Sequence, residues 1–133
     1  TGVQTCALPI WVRSGDALLV HTGTTERLAA GASHREPGFS AACLPWLRER
    51  DVAVLGADNH NDPVPSDYAE PSLRLPVHCV GIVAMGLWIL DNLDLGPLAA
   101  ACAAAGRWEF MLTASPWRMV GVTSAPVNPL AVL

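Results

Sequence analysis

Residues 78–95 read HCVGIVAMGLWILDNLDL. One imidazole, His78, enters an apolar run broken only by Gly81 and Gly86, and the run empties into the acidic corner Asp91-Asn92. Val77 to Met85 is predicted as a buried helix stopped by Gly86, because glycine accepts the left-handed conformation that ends helices. Leu87 to Leu90 is predicted as a strand with Asp91-Asn92 as its exit. A helix bearing a histidine and a strand ending in a carboxylate bring nitrogen and oxygen donors to one corner. That donor set suits a divalent cation. His78 and Asp91 are therefore the candidate metal ligands. The blander reading of His78, a hydrogen-bonded core histidine, stays open at this level.

Upstream, Asp51 to Asp58 (DVAVLGAD) reads as a short buried strand ending in an acid. It follows a helix opened by Ser40 as N-cap and carried to Arg50, with Cys43, Leu44 and Leu47 on one face. Pro45 is tolerable only in the first turn, which moves the helical start past Ser40. Ala17 to His21 (ALLVH) reads as another buried strand, entered through the Gly15-Asp16 turn. Strand, helix, strand in this order is a crossover signal for a parallel sheet. Thr24 to Arg35 reads as a surface loop with a solvated His34. Asn59 to Leu75, rich in proline, reads as a long ordered loop. Beyond the quoted stretch, Asp94 is expected to cap a helix from Leu95 to Ala105, Trp108 to Thr113 a strand, and Val127 to Leu133 a closing strand.

With 133 residues the chain suffices for one core. It is 51% hydrophobic and only 15% charged, against about 25% charged in an average soluble domain. Either both sheet faces are covered, or apolar surface is kept for a second subunit. The formal charge of −4, with scattered arginines as its only basic side chains besides histidine, excludes a nucleic-acid footprint and offers nothing to anionic lipid. The longest apolar stretch, Leu75 to Leu90, falls short of the roughly 20 residues of a membrane span. Cys6, Cys43, Cys79 and Cys102 form no CxxC pair, and read as small buried residues in a reducing, cytoplasmic compartment.

No Walker loop, GxGxxG or GxSxG occurs. His78 and Cys79 are adjacent, and helical neighbours point about 100° apart, so they form no dyad. Asp58 reads as a turn-former or as a carboxylate orienting a ligand. His60, in Asp58-Asn59-His60-Asn61-Asp62, reads as part of an Asx-rich turn or as a metal donor. Of the five tryptophans, Trp88 is expected in the core beside the Asp91 corner, with a share in an aromatic pocket.

Three stretches together resemble the cyclase family of metal-dependent hydrolases, which includes bacterial kynurenine formamidases and isatin hydrolases. They are the 78–95 segment, Gly15-Asp16 running through Ala17-Leu18-Leu19-Val20-His21 to Thr22-Gly23, and Ser124-Ala125-Pro126-Val127-Asn128-Pro129-Leu130-Ala131-Val132. The resemblance runs from about Val12 to Leu133 and is to the C-terminal part of a family member. It implies a mixed α/β, swivelling β/β/α layer fold, here N-terminally truncated, and a zinc or manganese ion held in part by His78 and Asp91. Where the family has Glu, this chain has Asp91, an arm one methylene shorter. The His-x-Gly-Thr-His-x-Asp motif that supplies the family's other ligands does not occur. The implied activity is hydrolysis of a C–N amide bond in a small aromatic substrate, arylformamidase (kynurenine formamidase) chemistry of tryptophan catabolism, by a metal-activated water. A homodimer is the implied assembly. Residues 1–10 resemble a translated sequencing-adaptor leader, which leaves 11–133 as the domain. The competing expectation is an inactive fragment that oligomerises through apolar surface, or a small-molecule binding module.

Overall fold

The computed structural model describes residues 10–31, 36–70 and 72–133. The first nine residues of the expected leader, and His34, lie outside them. Residues up to Pro97 form one compact unit and those from Leu98 onward a second.

In the first unit three strands, β1 (Ala17–Val20), β2 (Val54–Ala57) and β3 (Trp88–Leu90), pair in parallel in the order β1-β2-β3. Leu18 lies opposite Leu55, and Leu55 opposite Ile89. Side chains alternate across a strand, so these three share one face of the sheet. Helices cover that face: α2 (Leu44–Glu49) contributes Leu47 and α3 (Pro76–Val80) contributes Val77. With Val52, Leu55 and Leu87 they form the core, and Val12, Leu18, Phe39, Met85 and Ile89 pack against it. The expected α/β class and crossover order hold.

Ser40 caps a short 3-10 turn (Ala41–Cys43), its hydroxyl accepting from the Ala42 N–H at 3.2 Å. Pro45 then sits in the first turn of α2, which starts at Leu44, later than Ser40 as proline requires. The segment after β1 corrects the loop expected from Thr24 to Arg35. Thr24–Ala29 is a helix, α1, entered through Gly23 at φ 75°. Glu26 in its first turn suits the positive end of the helix dipole, and Thr24 is buried.

The helix predicted over 77–85 is present but is buried on one side only. α3 widens into a π-helical turn over Gly81–Met85, and Gly86 ends it at φ 70°. Pro76, Val77 and Gly81 are buried, whereas Val83 is 84% exposed. Trp88 is a second correction: it is 73% exposed rather than in the core. Its neighbour Ile89 faces the helices, so the pleat sends Trp88 to the opposite face. The cysteines correct a third expectation, since Cys102 is buried, Cys43 half-buried and Cys79 exposed.

α4 (Gly96–Ala105) runs across the boundary between the units. Within the second unit, β4 (Met111–Thr113) pairs antiparallel with β5 (Leu130–Val132), and Pro116 bridges Val127. Both strands are shorter than expected, and Met111, Leu130 and Val132 are exposed. Among the described residues no helix is long and apolar enough to cross a membrane.

Candidate metal centre

Parallel strands present all their carboxyl ends to one edge, the place where open α/β sheets gather ligands. β1 runs out into His21 and Thr22, β2 into Asp58, and β3 into Asp91. The loop after β2, Asp58-Asn59-His60-Asn61-Asp62, forms the floor of this edge. Asp58, Asn59, Asn61 and Asp62 are buried in it and His60 is exposed. Gly38 lets the floor close: a Cβ there would overlap the backbone of Asp62 and Pro63.

The four buried side chains of the loop each make hydrogen bonds, because burial without a partner is costly, although Asn61 Oδ1 is buried without one. Asp58 ties β1 to α1. Its Oδ1 accepts from the Thr22 N–H at 2.8 Å and from the Thr22 hydroxyl at 2.7 Å, and its Oδ2 from the Thr24 N–H at 2.9 Å. Burial works to raise the Asp58 pKa, but the bonds from Thr22 and Thr24 outweigh it and the pKa is lowered. Asn59 links the loop back to β1 through its amide and the Thr22 hydroxyl, 3.0 Å. Asn61, in the left-handed region at φ 59°, donates to the Leu90 carbonyl at 3.0 Å and to Asp91 Oδ1 at 2.8 Å. Asp62 accepts from the Val77 N–H at 2.8 Å and the His78 N–H at 3.1 Å.

The structure brings His78 and Asp91 together. His78 Nε2 lies 3.0 Å from Asp91 Oδ2, while Nδ1 lies 2.7 Å from Asp62 Oδ2. The imidazole thus sits between two carboxylates, and its pKa is raised to about 9. The hydrogen bond to Asp91 is the largest cause; burial opposes it and Asp62 adds to it. Burial pulls Asp91 upward, but the bonds from His78 and Asn61 outweigh it, and the Asp91 pKa is lowered. His60 Nδ1 lies 2.7 Å from the Glu36 carboxylate, and His60 is the smallest of the influences that lower Asp91.

Nitrogen and carboxylate donors at His78 and Asp91 fit a borderline divalent cation in kind. A second set meets nearby in sequence order. His21, Glu26 and Asp58 each offer an atom within 4.8 Å of the others. His21 Nε2 lies 3.2 Å from Glu26 Oε1 and 3.7 Å from Asp58 Oδ2. Both Asp58 oxygens already accept backbone N–H groups, so this set has less free donor capacity than its composition suggests.

Asp62 and Asn61 are absent from the candidates read off the sequence, as are His21 and Glu26. A signal for Asp62 does exist. Leu75 and Pro76 at the start of α3 offer no side-chain oxygen, so the Val77 and His78 N–H groups need a carboxylate or water from elsewhere. Cys79 is exposed on α3, and among the described residues no bond joins it to His78.

With this geometry in hand, similarities to known proteins fall into place. Residues 6–62, somewhat under half of the chain, match the family model described as putative cyclase. A crystal structure described as a novel cyclase aligns with a TM-score of 0.78 and 31% identity, over 92% of this chain and 41% of its own. The fold is that of a cyclase structure. A potential metal-dependent hydrolase with cyclase activity aligns with a TM-score of 0.62 and 19% identity, over 92% of this chain and 53% of its own. The chain therefore spans about half, or less, of the length of these two structures. No curated protein matches it. The family match begins at Cys6, within the expected leader, and ends at Asp62, before His78 and Asp91.

Proposed function

We propose that the chain is part of a cyclase-family, metal-dependent hydrolase that cleaves a C–N amide bond, of the arylformamidase (kynurenine formamidase) type. The observation that carries the reading is the 3.0 Å approach of His78 Nε2 to Asp91 Oδ2, with each partner held from behind by Asp62 and Asn61. The cyclase match and the metal-dependent neighbour support it. His78 and Asp91 would hold zinc or manganese, with further ligands and the general base supplied from outside this pair, since three or four protein ligands are usual. A divalent cation held there would supply polarisation of a carbonyl and a bound water with its pKa lowered toward about 7.

The residues of this chain supply the rest of the surroundings. Asn61 keeps Asp91 Oδ2 turned toward His78 by occupying Oδ1. Trp88 begins β3, whose exit is Asp91, and offers an exposed aromatic surface for a small aromatic amide or a second copy of the chain. Exposed Val83 and Trp88 support a homo-oligomer in the same way. A cytoplasmic location agrees with the unpaired spacing of the cysteines.

A second reading places the cation at His21, Glu26 and Asp58, favoured by three donors meeting there. Metal content after incubation with zinc or manganese and desalting separates the readings. Loss of bound metal in His78→Ala with retention in His21→Ala supports the first, and the reverse pattern supports the second. Absence of metal from the wild-type chain at micromolar zinc sinks both, and leaves a fragment that oligomerises or a chelator-indifferent binding module.

A further inference from the structure

We propose that Asp62 is a positioning residue that sets the tautomer and ring orientation of His78, holding the Nδ1–H so that Nε2 is the nitrogen presented beside Asp91. The inference rests on the reading above only for what Nε2 goes on to bind.

The argument is geometric. The Asp62 side chain is fully buried, at 0% exposure, whereas the Asp91 side chain is 33% exposed. Asp62 Oδ1 accepts from the Val77 N–H, and Oδ2 from both the His78 N–H and His78 Nδ1. The carboxylate is therefore anchored to the same backbone turn that carries the imidazole, and ring and acceptor move together. Asp62 and Asp91 both accept only, so a neutral ring keeps its one N–H on the side of the better anchored acceptor, which is Asp62 with its two backbone N–H bonds. Asp91 stands on another element, after β3, and is steadied through a single side-chain bond from Asn61. The contact at Nδ1 is also the shorter, 2.7 Å against 3.0 Å. A histidine that binds metal through one nitrogen needs the other held in this way, because the outer hydrogen bond fixes ring direction and basicity. A carboxylate present only to cap α3 would need neither the third bond nor an oxygen directed at the ring.

The deciding measurement is the long-range 1H–15N correlation spectrum of 15N-histidine-labelled, metal-free protein, followed upward in pH until the spectrum itself shows the His78 ring neutral. The expected pattern for His78 is protonated Nδ1 with bare Nε2. A wild-type spectrum with protonated Nε2 overturns the proposal, and needs no variant. In Asp62→Ala the acceptor is gone, and the pattern is expected to switch to protonated Nε2, with zinc affinity lowered 10–100-fold. A folded Asp62→Ala protein that keeps the wild-type tautomer, or binds zinc as tightly as wild type, overturns it as well. If the wild-type pattern and the switch are both seen but neither protein binds zinc, the positioning role stands and the metal reading of His78 falls.

Discussion

Asn61 Nδ2 stands 2.8 Å from Asp91 Oδ1 and 3.0 Å from the Leu90 carbonyl, so one amide group clasps the end of β3 at two points. The clasp reaches across from the loop after β2 and depends on Asn61 being at φ 59°, a conformation that asparagine tolerates better than most residues.

Removing that amide should therefore cost stability in two separable parts. Asn61→Ala is expected to lose about 2–4 kcal/mol, combining an unpaired buried acceptor with left-handed strain. Asn61→Gly removes the same bonds without the strain and is expected to lose about 1 kcal/mol less. Urea unfolding of both variants checks the difference; equal losses would mean the backbone conformation contributes nothing.

The Asp58 carboxylate joins three donors from Thr22 and Thr24. Asp58→Ala is expected to destabilise by roughly 2–4 kcal/mol, since two backbone N–H groups and a hydroxyl lose their acceptor. Its effect on amide hydrogen exchange should concentrate in β1 and α1. Uniform loss of protection throughout the chain would contradict a local tie.

Stability should also depend on pH on both sides of neutrality. His78 is raised to about 9, so its contribution is fully present below about 6.5 and is lost as pH climbs through 9. Asp91 is lowered, so its share is present above the ordinary carboxylate value and is lost as acid protonates it. The His78 share is at most about 3 kcal/mol, being divided with its carboxylate partners. Thermal melts from pH 6 to 10 should show Tm falling over the alkaline part of the range, and His78→Gln should flatten that fall. An undiminished alkaline slope in the variant would assign it to another group.

Gly38 is the place where a single methyl group should disturb the floor of the site. Gly38→Ala forces a Cβ onto the Asp62–Pro63 backbone, which is not a flexible side chain that can swing away. A loss of about 1–3 kcal/mol or more is expected, together with a shifted 15N signal from His78. Wild-type stability and an unmoved signal would show that the loop yields freely.

The strands and the helix carrying His78 were legible because their apolar runs are bounded by Gly86, Asp58 and Asp91, residues that stop regular structure. The pairing of His78 with Asp91 was expected from the order of helix and strand together with the resemblance to the cyclase family, and the structure sets the two side chains 3.0 Å apart. Asp62 and Asn61 were not, because a run of Asx residues looks the same whether it faces water or is buried as a floor. The exposure of Trp88 is illegible in sequence for a related reason: a three-residue strand alternates too briefly to reveal which side of it is covered. The helix at Thr24–Ala29 was hidden by its polar composition, and its start is fixed by a carboxylate 34 positions away, at Asp58.

The parallel sheet has three members, and β1 and β3 are both outermost among the described residues. Their outward amides and carbonyls are a template awaiting another strand, and Trp88 lies open on the β3 margin. Self-association of the chain is therefore expected to begin at these two margins and to grow with its concentration.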